Sequence, residues 1–162
     1  MTTGTDASID MHGPDVRVSS IHALMSDPQW PTIAREYEDE CGVDEMVSGK
    51  VNWDMYRAIE AGGNLTTVTA FDGDTLVGFC VLVMLMHPKY SNLVATTESI
   101  FVRREYRTTG IGLRLFRFVE RMARDMGAVA MLCSTGVDGN MSQLMPALKY
   151  RHTNQVFFKR LA

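Results

Sequence analysis

Long apolar runs are missing from this sequence. The longest, Val77 to Met86, falls well short of the roughly 20 apolar residues that a helix needs to cross a bilayer. The opening stretch, MTTGTDASIDMHGPD, has no apolar core of the kind that marks a secretory signal. Both absences predict a soluble chain with no membrane partner. Cysteine is sparse and odd in number, with three residues, Cys41, Cys80 and Cys133. They show no metal-ligand spacing, alone or with His12, His22 and His152, so no metal is expected. Cys80 and Cys133 lie inside apolar runs and are expected as buried free thiols, which fits a cytoplasmic location. Charge of one sign is also missing. A net charge of −3 and a pI near 5.8 argue against nucleic acid as a partner and mildly favour a cationic or neutral one. There is no internal repeat and no low-complexity segment.

What is present is an ordinary globular composition. With 46% hydrophobic and 22% charged residues over 162 positions, the chain can bury the core of one domain. Residues 1–14 read as a flexible N-terminal tail ending at Gly13-Pro14, and 15–162 as a single domain.

One stretch organises the domain: ESIFVRREYRTTGIGLRLFRFVERMARDM, Glu98 to Met126. Ser99-Ile100-Phe101-Val102 reads as a buried strand. A basic, glycine-containing turn follows. Then Leu115, Val119, Met122 and Met126 recur at helical spacing, widened by Phe116 and Ala123. Arg114, Arg117, Arg121 and Arg124 fall off that stripe and are expected in solvent. Strand, glycine turn and helix in succession put a helix N-terminus at the open edge of a sheet, where free N–H groups and the dipole suit an anion. Gly110 and Gly112 would let a phosphate approach the backbone, and Arg107 could supply a charged fork. The spacing R-x-x-G-x-G alone fits a simple tight turn equally well. A nucleotide-binding phosphate loop is disfavoured, because no Lys-Ser/Thr pair follows the glycines.

Along the chain, Asp15 to Ser19 alternates as a first strand. Ser26-Asp27-Pro28 predicts the start of a helix running to Cys41, and a second helix begins at Asn52 and ends before Gly62-Gly63. From Asn64 the period changes to two. A strand to Phe71, a turn at Asp72-Gly73-Asp74 and a long strand Thr75 to Met86 make a hairpin. The loop His87 to Asn92, in which His87 beside its proline turn reads as a solvated residue, precedes the strand Leu93 to Val102. Ala128 to Ser134 reads as a fully buried strand, Asn140 to Leu148 as a short helix, and Arg151 to Leu161 as the last strand. A hairpin followed by β-α-β-α-β implies an α+β domain, a mixed sheet with helices on both faces.

Val102 followed by Arg107-Thr108-Thr109-Gly110-Ile111-Gly112 resembles the acyl-CoA pyrophosphate loop of the GNAT superfamily of N-acetyltransferases. The family signature R/Q-x-x-G-x-G/A is matched at every fixed position, and the flanks ESIFVRREYRTTGIGLRLF are close to the family's strand-loop-helix wording. The resemblance covers Asn64 to the C-terminus well, and the first 63 residues only in element order. It implies a GNAT-like three-layer fold, with a mostly antiparallel twisted sheet and a splayed parallel pair. It also implies acetyl-CoA as cosubstrate, with no metal, and an amine acceptor, and it allows a homodimer. Ile100, Phe101 and Val102 would pair with the pantetheine amides. Arg107, Thr108, Thr109, Gly110, Ile111, Gly112 and Leu113 would hold the pyrophosphate, and Asn140 would contact coenzyme A.

Glu98 lies where such enzymes often carry the glutamate that takes the proton from the substrate ammonium. A carboxylate on an apolar strand is costly to bury unless paired or neutralised, so the alternative is an ion-paired structural carboxylate. The family's proton-donating tyrosine is absent, since its place falls at Met145. Tyr150 comes five residues later as an expected core aromatic, and Ser142 and Cys133 are other candidate donors. An ordinary thiolate can leave without a protein acid, so catalysis survives the gap. An acyl-CoA-binding module without turnover also fits it. Asp54 and Glu60 are either an acidic acceptor wall or a solvated helix face.

Overall fold

The strands form where β-branched and apolar residues alternate or run together. In the computed structural model, which describes residues 15–42, 51–136, 140–157, 159 and 161, five strands make one sheet in the order β1-β2-β3-β4-β5. These are β1 (Asp15–Ser19), β2 (Leu65–Asp72), β3 (Thr75–His87), β4 (Asn92–Val102) and β5 (Ala130–Cys133). The first four pair antiparallel, and β4 and β5 pair parallel. The β2–β3 hairpin closes with Asp72 opposite Thr75, and Gly73 takes the left-handed φ of +58° that so short a loop demands.

The helices are α1 (Ile21–Ser26), α2 (Trp30–Cys41), α3 (Trp53–Ala61), α4 (Ile111–Asp125) and α5 (Asn140–Leu144), with a 3₁₀ turn over Arg104–Thr109. Helices α1 to α3 cover one face, where Ile21, Leu24 and Ile33 pack with Leu65, Leu76, Phe79, Val81 and Phe101. Helix α4 covers the other, where Leu115, Val119 and Ala123 pack with Val68, Cys80, Leu82, Met84 and Ala95. The sheet is therefore mixed and covered on both sides, as its alternation of elements predicts. Helix α4 buries Leu115, Phe116, Val119 and Ala123 of its stripe and leaves Met122 half-buried, while Met126 lies 37% exposed at the helix end. Its four expected solvent arginines are exposed.

Four expectations need correction. The helix placed from Ser26 to Cys41 starts later, as α2, and a separate helix, α1, precedes it. Ser20 caps α1, accepting a hydrogen bond from the Ala23 amide at 3.0 Å, and Ser26 is its last residue. Asp27 then breaks the chain by accepting from the Gln29 amide at 2.8 Å, and Pro31 enters the first turn of α2. Strand β5 is shorter than Ala128 to Ser134 and alternates exposed and half-buried residues, because it lies at the edge of the sheet. The strand expected over Arg151 to Leu161 is not formed among the described residues. Residues 151–157 are irregular, and Val156 and Phe157 are 89% and 86% exposed. The polar run Thr153-Asn154-Gln155 and the adjacent Val156-Phe157 break the alternation that pairing needs. Helix α5 stops at Leu144, with hydrogen-bonded turns carrying the chain to Lys149. The tail, 1–14, lies outside the described residues.

Candidate active site

The site is built where β4 outruns β5. Their parallel pairing joins Val94 to Ala130 and ends at Thr97 opposite Cys133. Beyond it β4 continues through Glu98, Ser99, Ile100, Phe101 and Val102, bonded to β3 on one side only. On the β5 side, among the described residues, that length of β4 has no strand partner. An unpaired parallel edge is a row of backbone donors and acceptors that an extended amide-bearing chain can join. Ile100, Phe101 and Val102 all lie on it.

At the end of this edge the chain passes through the 3₁₀ turn into α4. Gly110 takes φ +82°, the left-handed conformation that lets α4 start at once. No side chain caps α4, and its first turn holds no acidic residue. The first helical bond is Arg114 N to Gly110 O at 3.1 Å, so the amides of Ile111, Gly112 and Leu113 precede it. A Cβ placed on Gly112 would meet nothing nearer than Val102 Cγ2, at 3.7 Å. Packing therefore does not require glycine at position 112, and the simple tight-turn reading loses its support there. Gly78 is the contrasting case, since a Cβ would lie 2.8 Å from the Phe101 carbonyl oxygen.

Arg107 is already engaged. Its Nε donates to the Val102 carbonyl at 2.8 Å, its terminal nitrogen reaches Glu40 of α2 at 2.8 Å, and its guanidinium lies over the Phe101 ring. The arginine thus braces the turn against α2 rather than standing free as a fork. Arg103 does likewise, bidentate to Glu36 at 2.8 and 3.1 Å. Thr109 closes the 3₁₀ turn through its hydroxyl, which donates to the Tyr106 carbonyl at 2.7 Å. Neither Glu36 nor Glu40 is distinguishable in sequence from the other acidic residues of α2. The two pairings join residues 67 positions apart.

Glu98 sits at the other end of the edge. Val81 pairs with Ser99 and Leu82 with Thr97, so Glu98 is the extra residue of a β-bulge. Strict alternation would put it with Ile100 and Val102, which pack toward α4. The bulge instead presents it to α3, where the Tyr56 hydroxyl donates to Glu98 Oε1 at 2.5 Å. Glu98 is exposed, which corrects the expectation of a carboxylate desolvated by an apolar strand. Tyr37 of α2 also faces this charge. Burial chiefly, then Glu98 and Cys41, push its hydroxyl up to about 12. Burial, followed by the Glu98 hydrogen bond and charge, raises Tyr56 further, so Tyr56 is the donor of the pair at neutral pH. The sequence hinted at Tyr56 only through the helical spacing of Trp53 and Tyr56, whose rings meet at 5.5 Å.

The remaining candidates have structural partners. Tyr150 is half-buried, edge-on to Phe116 at 5.4 Å, with its hydroxyl raised by burial and by Glu120. It packs as the core aromatic expected. Glu60 accepts from the Ile21 amide at 2.9 Å and so ties α3 to the start of α1, while Asp54 pairs with Arg57 at 2.7 Å in solvent. Cys133 is half-buried beside Thr97, and burial raises its thiol. His87 is not simply solvated. It ends β3, its ring stacks on Tyr90 at 4.9 Å, and its Nδ1 is buried. Asn140 opens α5. Among the described residues no group of three or more potential metal ligands comes together, and no helix is long and apolar enough to cross a membrane.

The acetyltransferase (GNAT) family matches residues 28–144, and the chain belongs to that family. Its fold is similar to AAC(6')-Iy, solved with the bisubstrate analogue CoA-S-monomethyl-acetylneamine, at 20% identity and a TM-score of 0.70 over 93% of this chain and 99% of that one. It is also similar to an aminoglycoside acetyltransferase from an uncultured soil metagenomic sample, at 14% identity and a TM-score of 0.71 over 93% and 99%. A transcriptional regulator from Bacillus halodurans C-125 matches at 14% identity and a TM-score of 0.72 over 92% and 100%. Comparison with curated proteins by sequence finds no match.

Proposed function

We propose that this protein is an N-acetyltransferase that moves an acetyl group from acetyl-CoA to a primary amine by direct attack. The observation that carries this reading is the uncapped, acid-free start of α4, reached from an unpaired length of β4 that begins at Glu98. The residues fit coenzyme A. The amides of Ile111, Gly112 and Leu113 would receive the pyrophosphate, with Arg107, Thr108, Thr109 and Gly110 shaping the turn beneath it. The backbone of Ile100 to Val102 would receive the pantetheine amides, and Asn140 would contact the cosubstrate from α5. Acetyl-CoA supplies the activated acyl group as a thioester.

In this reading Glu98 accepts the proton that the acceptor ammonium must lose before its nitrogen can attack. An exposed carboxylate can do this through an intervening water. Strand N–H groups at the open edge stabilise negative charge developing on the thioester oxygen. Aminoglycoside acetyltransferases among the similar structures, one of them in complex with sisomicin, and a ribosomal-protein-alanine N-acetyltransferase suggest the acceptor panel: sisomicin and an alanyl peptide. Labelled acetyl-CoA is expected to acetylate at least one of them, and Glu98→Gln to lower kcat by about a hundredfold. Full activity in Glu98→Gln would remove Glu98 from the mechanism.

A second reading is favoured by Met145, which stands where the resemblance expects a proton-donating tyrosine and has no proton to give. Here the domain binds acyl-CoA without turnover, in a regulatory role. Tight CoA binding with no product from any amine would select it.

A further inference from the structure

We propose that Tyr56 is the positioning residue for Glu98, fixing one carboxylate oxygen so that the other faces the acceptor amine. This rests on the reading of Glu98 as the base. The bulge between Thr97 and Ser99 turns Glu98 away from the α4 side of the sheet and toward α3. There, among the described residues, the Tyr56 hydroxyl is its one hydrogen-bond partner, and no ion pair engages the carboxylate. An exposed glutamate with one fixed oxygen keeps access for a water or an ammonium while losing the rotamer freedom that would blur its aim. A lysine or arginine would hold the same oxygen more tightly, but it would also repel a cationic acceptor. A neutral phenol holds it without that repulsion.

Tyr56 is itself held in place. Its ring meets Trp53 at 5.5 Å, Trp53 meets Trp30 edge-on at 5.9 Å, and Trp30 meets Phe79 at 5.2 Å in the core beneath α2. Asn52 accepts from the Met55 amide at 3.1 Å and starts α3 just before this aromatic pair. The hydroxyl is thus aimed from a helix whose start is capped and whose apolar side is packed, which is what a supporting residue needs. Tyr37, the other phenol facing this charge, is braced between Phe79 and Phe101 at 5.5 and 5.9 Å and makes no hydrogen bond to Glu98.

Tyr56→Phe keeps the ring and removes the donor. Measured with whichever panel amine turns over fastest, it is expected to lower kcat by about tenfold with the KM for acetyl-CoA unchanged. Tyr56→Phe in the Glu98→Gln background should cost nothing more, a coupling that a merely structural tyrosine would not show. If no amine turns over, the Glu98 carboxyl carbon followed by NMR at neutral pH reads the same contact, with its resonance expected to move in Tyr56→Phe. Unchanged kcat in Tyr56→Phe, an equal further loss in the double variant, or an unmoved resonance would overturn the positioning role while Glu98→Gln still loses activity. Wild-type kinetics in Glu98→Gln would overturn the base assignment, and the proposal with it.

Discussion

Arg107 shows how a single side chain can serve fold and site together. Its guanidinium meets the last β4 carbonyl, Glu40 and the Phe101 ring, so it fixes the angle at which the chain leaves the sheet for α4. A lysine would keep the charge but reach only one of these partners at a time. Arg107→Lys is therefore expected to lower stability by about 1 kcal/mol, read as a lower urea midpoint at unchanged slope. An unchanged midpoint would show that the brace carries no weight. Gly112 makes the opposite case. It has room for a side chain and a helical position that any residue adopts, so its lack of one is best explained by what must approach from outside.

Among the elements, α4 holds the architecture. Ile111, Leu115, Phe116, Val119 and Ala123 are buried on it, and Leu115 and Val119 sit against the middle of β2 and β3. Leu115→Ala is expected to cost about 2–5 kcal/mol, because the rigid sheet beneath cannot collapse into the space left. A loss under about 1 kcal/mol in chemical unfolding would mean that α4 is not anchored as described. This helix and its glycine turn were legible in the sequence, since apolar spacing, Gly110 and the following stripe are all local signals. So were β2, β3 and β4. The start of α2 was placed early, at Ser26, and α1 was missed, because Ser20 and Ser26 are equally plausible caps and only burial of Ile21 and Leu24 against the sheet shows that Ser20 is the one used. The Glu98 bulge and the Tyr56 contact were hidden for a different reason. A bulge is a property of two strands in register, and no spacing within β4 announces it. The C-terminal segment, irregular over residues 151–157, was misread because the alternation of Val156 and Phe158 is too short to outweigh the polar run Thr153-Asn154-Gln155 before it.

At the scale of the whole molecule, buried acid groups set a limit on the alkaline side. Burial raises the Tyr37 phenol to about 12 and lifts the Cys80 and Cys133 thiols above their ordinary value. Each group holds its proton more firmly folded than unfolded. Their contribution is complete below the unfolded values of 9.0 for the thiols and 10.0 for the phenol, and is lost as pH rises through the folded ones. Melting temperature is expected to fall steadily above about pH 9, and Tyr37→Phe to flatten the fall between pH 10 and 12. A flat profile to pH 12 would contradict the burial of these groups. The proposed acceptor side, formed by α2, α3 and the Glu98 bulge, and the proposed cosubstrate side, formed by α4 and the β4 edge, meet along one strand. The whole account depends on coenzyme A occupying that second side. Isothermal titration of coenzyme A into the wild-type chain and into Gly112→Glu tests it most directly, because the substitution places a carboxylate on the first turn of α4 without disturbing its packing. Binding to the wild type, weakened at least about a hundredfold in a variant with an unchanged melting temperature, is the predicted result. Equal affinity in the two proteins, or no binding to the wild type, would contradict it.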